Sequence, residues 1–412
     1  MNSKPSQAVI LCGGLGSRLS PFTETLPKPM IPCNGKPFLW HLLLNIKKQG
    51  VTNFLILNGY LGEKIEGYFG DGSNLGLSIQ YSNKPKDWDT TKRIYAAKDK
   101  LDECFLLFYA DNLVPFPLQK MYEQHLKTNL PLTLMLSKKE PGNIGINTDG
   151  QIDVYDKKRS ESLKHVEIGH MIVNRDEVFK YFRNQEGSFS EVIEQMAKEG
   201  RVGGWVQRDS YHSVSDLDRW KKTKLYTKPK NIILLDRDGV INKKQEVGKH
   251  VRSWNDFEFI KDTIDALKEL SRKGFKFIII SNQAGIKRKL VDVNDLENIH
   301  HNMTSVLLNE GIEILDIYYC PHFFDDYCNC RKPEPGMFYN VSSDWFIKLD
   351  ETLYIGDAIS DIRAAYNAGT KSIFLGEREE LEDLSESEMP IKISKNLTEC
   401  IPIILKYFTK DY

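Results

Sequence analysis

The sequence predicts an α/β protein of two domains, and three observations carry that reading. At 412 residues the chain exceeds one ordinary domain. Apolar runs of strand type recur, each followed by a turn signal and a helical pattern: AVILC, FLILN and CFLLFY in the first half, NIILLD, FKFIII, LDIYYC and TLYIGD in the second. That alternation builds βαβ units and mainly parallel sheets. The pattern restarts at Asn231, directly after the polar, lysine-rich WKKTKLYTKPK. Domains of 1–224 and 231–412 are expected, with a linker at 225–230.

Bulk properties narrow the partners. The net charge is −1 with pI ≈ 6.8 and no block of like charges, so nothing favours a nucleic-acid or anionic-membrane surface. The ligands should be small. No apolar run approaches the ~18 residues that span a bilayer, and the opening run is too short for a signal-peptide core. A soluble cytoplasmic protein is expected. The seven cysteines are scattered, apart from one tight group, which argues for reduced thiols. The sequence leaves the oligomeric state open.

In the first half, VILCGGLGSRLSPFTETLPKPMIP runs from a strand into Gly13-Gly14-Leu15-Gly16-Ser17-Arg18. Glycines let a backbone approach phosphates closely, and a helix start favours an anion. Residue 19 is Leu and no GxxxxGK occurs, which disfavours dinucleotide and ATPase readings. Arg18 and Lys28 can neutralise a triphosphate from either side.

This stretch, with Pro27-Lys28-Pro29-Met30 where it stands, resembles the sugar-phosphate nucleotidyltransferases over about residues 6–225. The resemblance implies a Rossmann-like domain with a mixed, mainly parallel sheet, in which a sugar 1-phosphate attacks the α-phosphorus of an NTP and expels pyrophosphate. It further implies that Gly13, Gly14, Arg18 and Lys28 bind nucleotide, that Asp111 holds Mg²⁺, and that Lys157, Glu167 and Gly169 line the sugar site. Two departures stand out. DWDTTKRIYAAKDKL replaces the usual LGTAGA-like segment, so base choice is not legible there. YHSVSDLDRW puts Ser213 where the family commonly has a second metal-binding aspartate, with Asp216 three residues later. A similar serine-containing string marks the heptose 1-phosphate guanylyltransferases, which favours GTP.

In the second half, NIILLDRDGVIN sends Asp236 and Asp238 off a buried-type strand end. Period-two alternation directs both carboxylates to one side, so one can attack phosphorus while the other handles a proton. FKFIIISNQAG ends a second strand at Ser281-Asn282-Gln283, where a hydroxyl and free N–H groups suit phosphoryl oxygens. Arg331 and Lys332 supply fixed positive charge, and Asp357 with Asp361 one helical turn later forms a hard-oxygen pair suited to Mg²⁺.

The ordered set resembles the haloacid dehalogenase superfamily over 231 to about 380, within it the D-glycero-D-manno-heptose 1,7-bisphosphate phosphatase branch. The resemblance implies Asp236 as nucleophile, Asp238 as general acid then base, Ser281 and Asn282 as phosphate-binding groups, and Lys332 steadying the phosphoryl group. Arg331 would touch substrate phosphate. Mg²⁺ would be held by Asp236, the backbone of Asp238, and Asp357, with Asp361 orienting Lys332 or the metal. His250 and Lys289 depart from the usual residues near the substrate loops, which leaves the sugar and its anomer open.

Cys320-x-His322-x₅-Cys328-x-Cys330 offers three thiolates and an imidazole, the ligand set of a closed, structural Zn²⁺ site. The histidinol-phosphatase branch carries the same loop. Together the halves suggest successive steps on a heptose phosphate. Another sugar and NTP, or a first half that only binds, remain the alternatives.

Overall fold

The structure, a computed structural model, describes residues 4–182, 187–246 and 250–409, and Lys157 by its backbone alone. The chain forms two compact units, Met1–Lys228 and Pro229–Tyr412. The helix Leu217–Thr227 packs Tyr226 and Thr227 into the first unit, so half of the stretch expected to link the domains is folded helix.

The first unit is built on a nine-stranded mixed sheet. Its parallel core has Gln7–Cys12 at the centre, flanked by Asn53–Asn58 and Cys104–Tyr109. Every residue of QAVILC is buried, as expected for a strand covered on both faces. His165–Asn174 then pairs antiparallel with Cys104–Tyr109, which mixes the sheet. Amphipathic helices such as Phe189–Lys198 bury Phe189, Val192, Ile193 and Met196 against it.

The second unit has a six-stranded, wholly parallel sheet ordered Ile314–Cys320, Lys276–Asn282, Ile232–Leu235, Leu353–Gly356, Lys371–Leu375, Lys392–Ser394. Chain order reverses direction at Ile232–Leu235, the switch point beside which open α/β sheets bind ligands. One core cluster, around Leu267, Phe277 and Ile404, lies on one side of the sheet. A second, around Phe338, Val341 and Tyr354, lies on the other. No described helix is long and apolar enough to cross a membrane.

Candidate active sites

In the second unit the carboxyl ends of the central strands bring four sequence-distant groups together. Lys332 is buried, with Nζ 3.0 Å from Asp236 Oδ1 and 2.7 Å from Asp361 Oδ1. It also donates to the Ile280 carbonyl at 3.0 Å and the Tyr354 hydroxyl at 2.7 Å. Burial pulls the Lys332 pKa down, but Asp236 and Asp361 more than offset this and hold it above the usual value. Burial raises Asp236; Lys332 opposes the shift, while Asp361, Asp357 and Asp238 reinforce it. A cation among four carboxylates is thus fixed beside the expected nucleophile.

Asp361 uses both oxygens locally: Oδ1 on Lys332, Oδ2 accepting the N–H groups of Asp357 and Ala358 at 3.0 and 3.1 Å. It orients its neighbours. Asp357 differs, since Oδ2 pairs with Lys244 at 2.8 Å while Oδ1 is buried without a partner. The carboxylates of Asp236, Asp357 and Asp361 lie within 4.8 Å of one another. An orphaned buried carboxylate oxygen within a hard-oxygen set fits a small divalent cation.

Asp238 is held as an anion. Burial raises its pKa, but Arg237, Asn242 and Gln283 outweigh burial and bring it below the usual carboxylate range. Arg237 Nη2 and Gln283 Nε2 each donate to Oδ2 at 2.8 Å, and Asn242 Nδ2 donates to Oδ1 at 2.9 Å. Arg237 Nη1 in turn reaches His300 Nε2 at 3.1 Å, and burial followed by the Arg237 charge lowers the His300 pKa to about 4. Arg donates only, so His300 accepts through Nε2. Ser281 is buried and accepts from Gln283 Nε2 at 2.9 Å.

Asn282, expected at substrate, has its side-chain amide turned to the backbone of Lys332: Oδ1 accepts its N–H at 3.0 Å and Nδ2 donates to its carbonyl at 3.1 Å. Arg331 Nη1 donates to the His322 carbonyl at 3.2 Å, which joins it to the cysteine loop.

In that loop the sulfurs of Cys320, Cys328 and Cys330 stand 3.3 to 3.7 Å apart, and His322 Nδ1 lies 3.5 Å from Cys320 and 3.2 Å from Cys330. A tetrahedron with Zn–S of about 2.3 Å has edges of about 3.8 Å, so the four donors already approach the outline of a closed site. The loop also grips the segment after Ser281. Lys287 pairs with Asp326 at 3.1 Å, Arg288 lies 5.6 Å over the Phe323 ring, and Gln283 N–H donates to the Cys320 carbonyl at 2.7 Å.

In the first unit the glycine loop leaves the central strand as expected. Lys28 Nζ lies 2.5 Å from Asp111 Oδ2, so these two predicted residues meet. Arg18 is exposed at the loop and its charge reaches Asp216. Gly14 is exposed, and a Cβ on Gly13 would lie 2.5 Å from Arg93 Nε. Arg93, which the sequence did not single out, is buried and donates to the carbonyls of Asn58, Pro85 and Trp88, the last two at 2.8 and 3.2 Å. It ties the segment that departs from the family pattern to the end of Asn53–Asn58 and packs against Gly13 of the glycine loop. Glu167 and Gly169 lie on His165–Asn174, beside the end of Cys104–Tyr109. The Lys157 side chain lies outside the described residues.

These folds and sites define a two-part enzyme, a nucleotidyltransferase joined to a haloacid dehalogenase-like phosphatase. Residues 7–269 match the family model "Nucleotidyl transferase" and 231–390 match "Polynucleotide kinase 3 phosphatase". The 7-phosphatase of D-glycero-beta-D-manno-heptose 1,7-bisphosphate from Neisseria meningitidis is 36% identical over 140 residues, 34% of this chain and 74% of that protein. The alpha-anomer counterpart from Photorhabdus laumondii is 36% identical over 151 residues, 35% of this chain and 81% of that one. A structure of HddC from Yersinia pseudotuberculosis complexed with GMP-PN is 20% identical, covers 54% of this chain and 100% of that chain, and gives a TM-score of 0.48. The chain belongs to the nucleotidyl transferase family, and its second unit belongs with the heptose-bisphosphate 7-phosphatases.

Proposed function

We propose that the second unit removes the 7-phosphate of D-glycero-D-manno-heptose 1,7-bisphosphate and that the first transfers GMP from GTP to the resulting heptose 1-phosphate. The observation that carries the phosphatase reading is Lys332, buried between Asp236 and Asp361. An Asp236 oxygen attacks phosphorus, the bond to the sugar oxygen breaks, and Asp238 gives that oxygen its proton. The arriving phosphate's negative charge raises the Asp238 pKa and equips it with this proton. Asp238 then takes a proton from water, whose oxygen attacks the aspartyl-phosphate and releases Asp236 and inorganic phosphate. Lys332 stays over the phosphoryl oxygens, with Ser281 donating from the side and Arg331 meeting substrate phosphate. Asn282 acts through Lys332.

In the first unit Gly13, Gly14, Arg18 and Lys28 hold the triphosphate, while Lys157, Glu167 and Gly169 border the sugar phosphate. A sugar-phosphate oxygen attacks the α-phosphorus and pyrophosphate leaves, so the protein's task is positioning and charge neutralisation. Mg²⁺, at Asp236, Asp357 and the Asp238 backbone in one unit and at Asp111 in the other, supplies charge neutralisation at phosphorus. Zn²⁺ in the Cys320, His322, Cys328, Cys330 loop is structural, because four protein donors leave no open position. Ser213, in a string like that of the heptose guanylyltransferases, supports GTP.

The experiment is to incubate the protein with heptose 1,7-bisphosphate and each NTP and to resolve products by mass. GDP-heptose with inorganic phosphate is expected. Phosphate release without any nucleotide sugar overturns the transferase half, and a sugar coupled to a different nucleotide overturns GTP.

A further inference from the structure

A protein-bound Mg²⁺ beside phosphates is usually gripped by one or two carboxylates. Asp111 offers one, and three residues nearby compete to be the second. Ser213 is placed for it: its strand pairs with Asn112–Leu113, Ser213 stands opposite Asn112, and Val214 N–H donates to the Asp111 carbonyl at 3.0 Å. Its hydroxyl, 3.2 Å from Ser215 Oγ and 3.4 Å from Arg219 Nη1, brings no charge. Asp216 has the charge but spends it elsewhere, capping the helix Leu217–Thr227. Its Oδ1 accepts Arg219 N–H at 2.9 Å, and its Oδ2 accepts the Ser215 hydroxyl at 3.1 Å and lies 3.5 Å from Arg219 Nε.

Glu167 is placed for the task and is not spent. His165–Asn174 pairs antiparallel with Cys104–Tyr109 as far as His170 opposite Phe108, so Glu167 and Asp111 both lie just past the same end of that pairing. Gly169, at φ +69°, keeps the two chains in contact there, since a Cβ on it would lie 2.8 Å from Tyr109 Cβ. Glu167 Oε2 is buried with no hydrogen-bond partner. After burial itself, the Asp111 charge is what disfavours the Glu167 anion. An orphaned carboxylate oxygen near a second carboxylate is repelled until a cation enters.

From these relations we infer that Glu167 is the second carboxylate of the transferase's divalent-cation site, doing with Asp111 what Ser213 and Asp216 do not. The inference rests on the transferase reading and deepens it. Lys28 already neutralises one Asp111 oxygen, so a cation shared with Glu167 completes a cluster of two acids and two cations at which phosphates can bind.

The test is Mn²⁺ titration followed by electron paramagnetic resonance on the full-length, zinc-loaded protein, with Asp236→Asn and Asp357→Asn silencing the other cation site. In that parent, Glu167→Gln weakens Mn²⁺ binding by about tenfold or more, and Glu167→Asp, which withdraws the charge by one methylene, falls between. Adding Ser213→Asp to Glu167→Gln recovers most of the loss, a rescue that a general packing role does not predict. Gln removes a repulsive buried charge, so the variant's melting temperature holds or rises. Loss of the Mn²⁺ site with Asp111→Asn but affinity within twofold of the parent for Glu167→Gln overturns this inference alone. A parent without the site, or an Asp111→Asn protein that keeps it, overturns the transferase assignment and the inference with it.

Discussion

Asn282 and Lys332, 50 residues apart in sequence, are joined by a reciprocal pair of hydrogen bonds in which one side-chain amide satisfies both the N–H and the carbonyl of one backbone residue. The side chain of Lys332 is therefore aimed by its own main chain, which Asn282 fixes to the end of the neighbouring strand. Replacing Asn282 by Ala should lower phosphatase kcat about 10- to 100-fold with a smaller change in KM, the signature of a misplaced catalytic group. Steady-state kinetics read this directly; a pure KM effect would instead mean that Asn282 touches substrate.

Lys332→Met keeps most of the side chain's bulk and removes the charge. Breaking a buried ion pair typically costs about 3–5 kcal/mol, and here the acids left behind also repel one another. A lower denaturation midpoint without added metal is expected, partly restored by Mg²⁺. Loss of the cation over the phosphoryl group should lower kcat by about 10² to 10³. A Met variant that is as stable as the parent and retains a tenth of its activity would sink the assignment.

Zinc removal should act at two places, because the cysteine loop holds both the segment ending at Lys332 and, through Asp326 and Phe323, the segment carrying Lys287 and Arg288. A chelator that strips zinc should lower phosphatase turnover and weaken substrate binding together, leaving nucleotide transfer untouched. Metal analysis run beside both assays checks it. Undiminished phosphatase turnover in verified zinc-free protein would separate the loop from the chemistry.

Arg93→Met should raise the KM for NTP and lower transferase activity, since it removes the guanidinium packed against Gly13 and a charge-assisted hydrogen bond to the buried Asn58 carbonyl worth about 1.5–3 kcal/mol. Phosphatase turnover in the same preparation is the control for a folded chain and should stay unchanged.

His170 sets an acid limit on the first unit. Burial lowers its pKa from 6.5 to about 4, outweighing the Ile168 carbonyl and Asp111, which raise it. A depressed folded-state pKa gives stability that is present above the unfolded value and lost as pH falls through the folded one. The loss should run from about pH 6.5 to about 4 and total roughly 3 kcal/mol. Urea midpoints across that range test it. A His170→Gln variant should lack this part of the slope, and an unchanged slope would assign the effect elsewhere.

How much of this was legible depends on sequence distance. Asp236 with Asp238 and Asp357 with Asp361 show in the sequence because strand alternation and one helical turn bring them together locally. The cysteine loop shows because its donors lie within eleven residues. Tyr354 was hidden: in TLYIGD it reads as one more strand residue, and only the sheet brings its hydroxyl to Lys332. Arg237 and His300 were hidden for the same reason, although an arginine between two acids on a buried strand end is itself a signal. Arg93 sat in plain view as a long cation in a segment the family keeps small, but its deepest partner, the Asn58 carbonyl, comes from a strand 35 residues away. Glu167 and Gly169 were reached through family resemblance, and only the pairing of two distant strands brings Glu167 to the same sheet end as Asp111.

The position of Ile232–Leu235 also bears on how the second unit is born. It is the first strand of its sheet to be synthesised, yet it lies between Lys276–Asn282 and Leu353–Gly356. At roughly 5–20 residues per second, the chain that closes its far edge follows by about 6–24 s. Throughout that interval one edge of an apolar IILL segment stays unpaired, and such edges invite pairing with other chains. A nascent chain arrested before Gly356 should carry a finished first enzyme and a sticky, half-built second one.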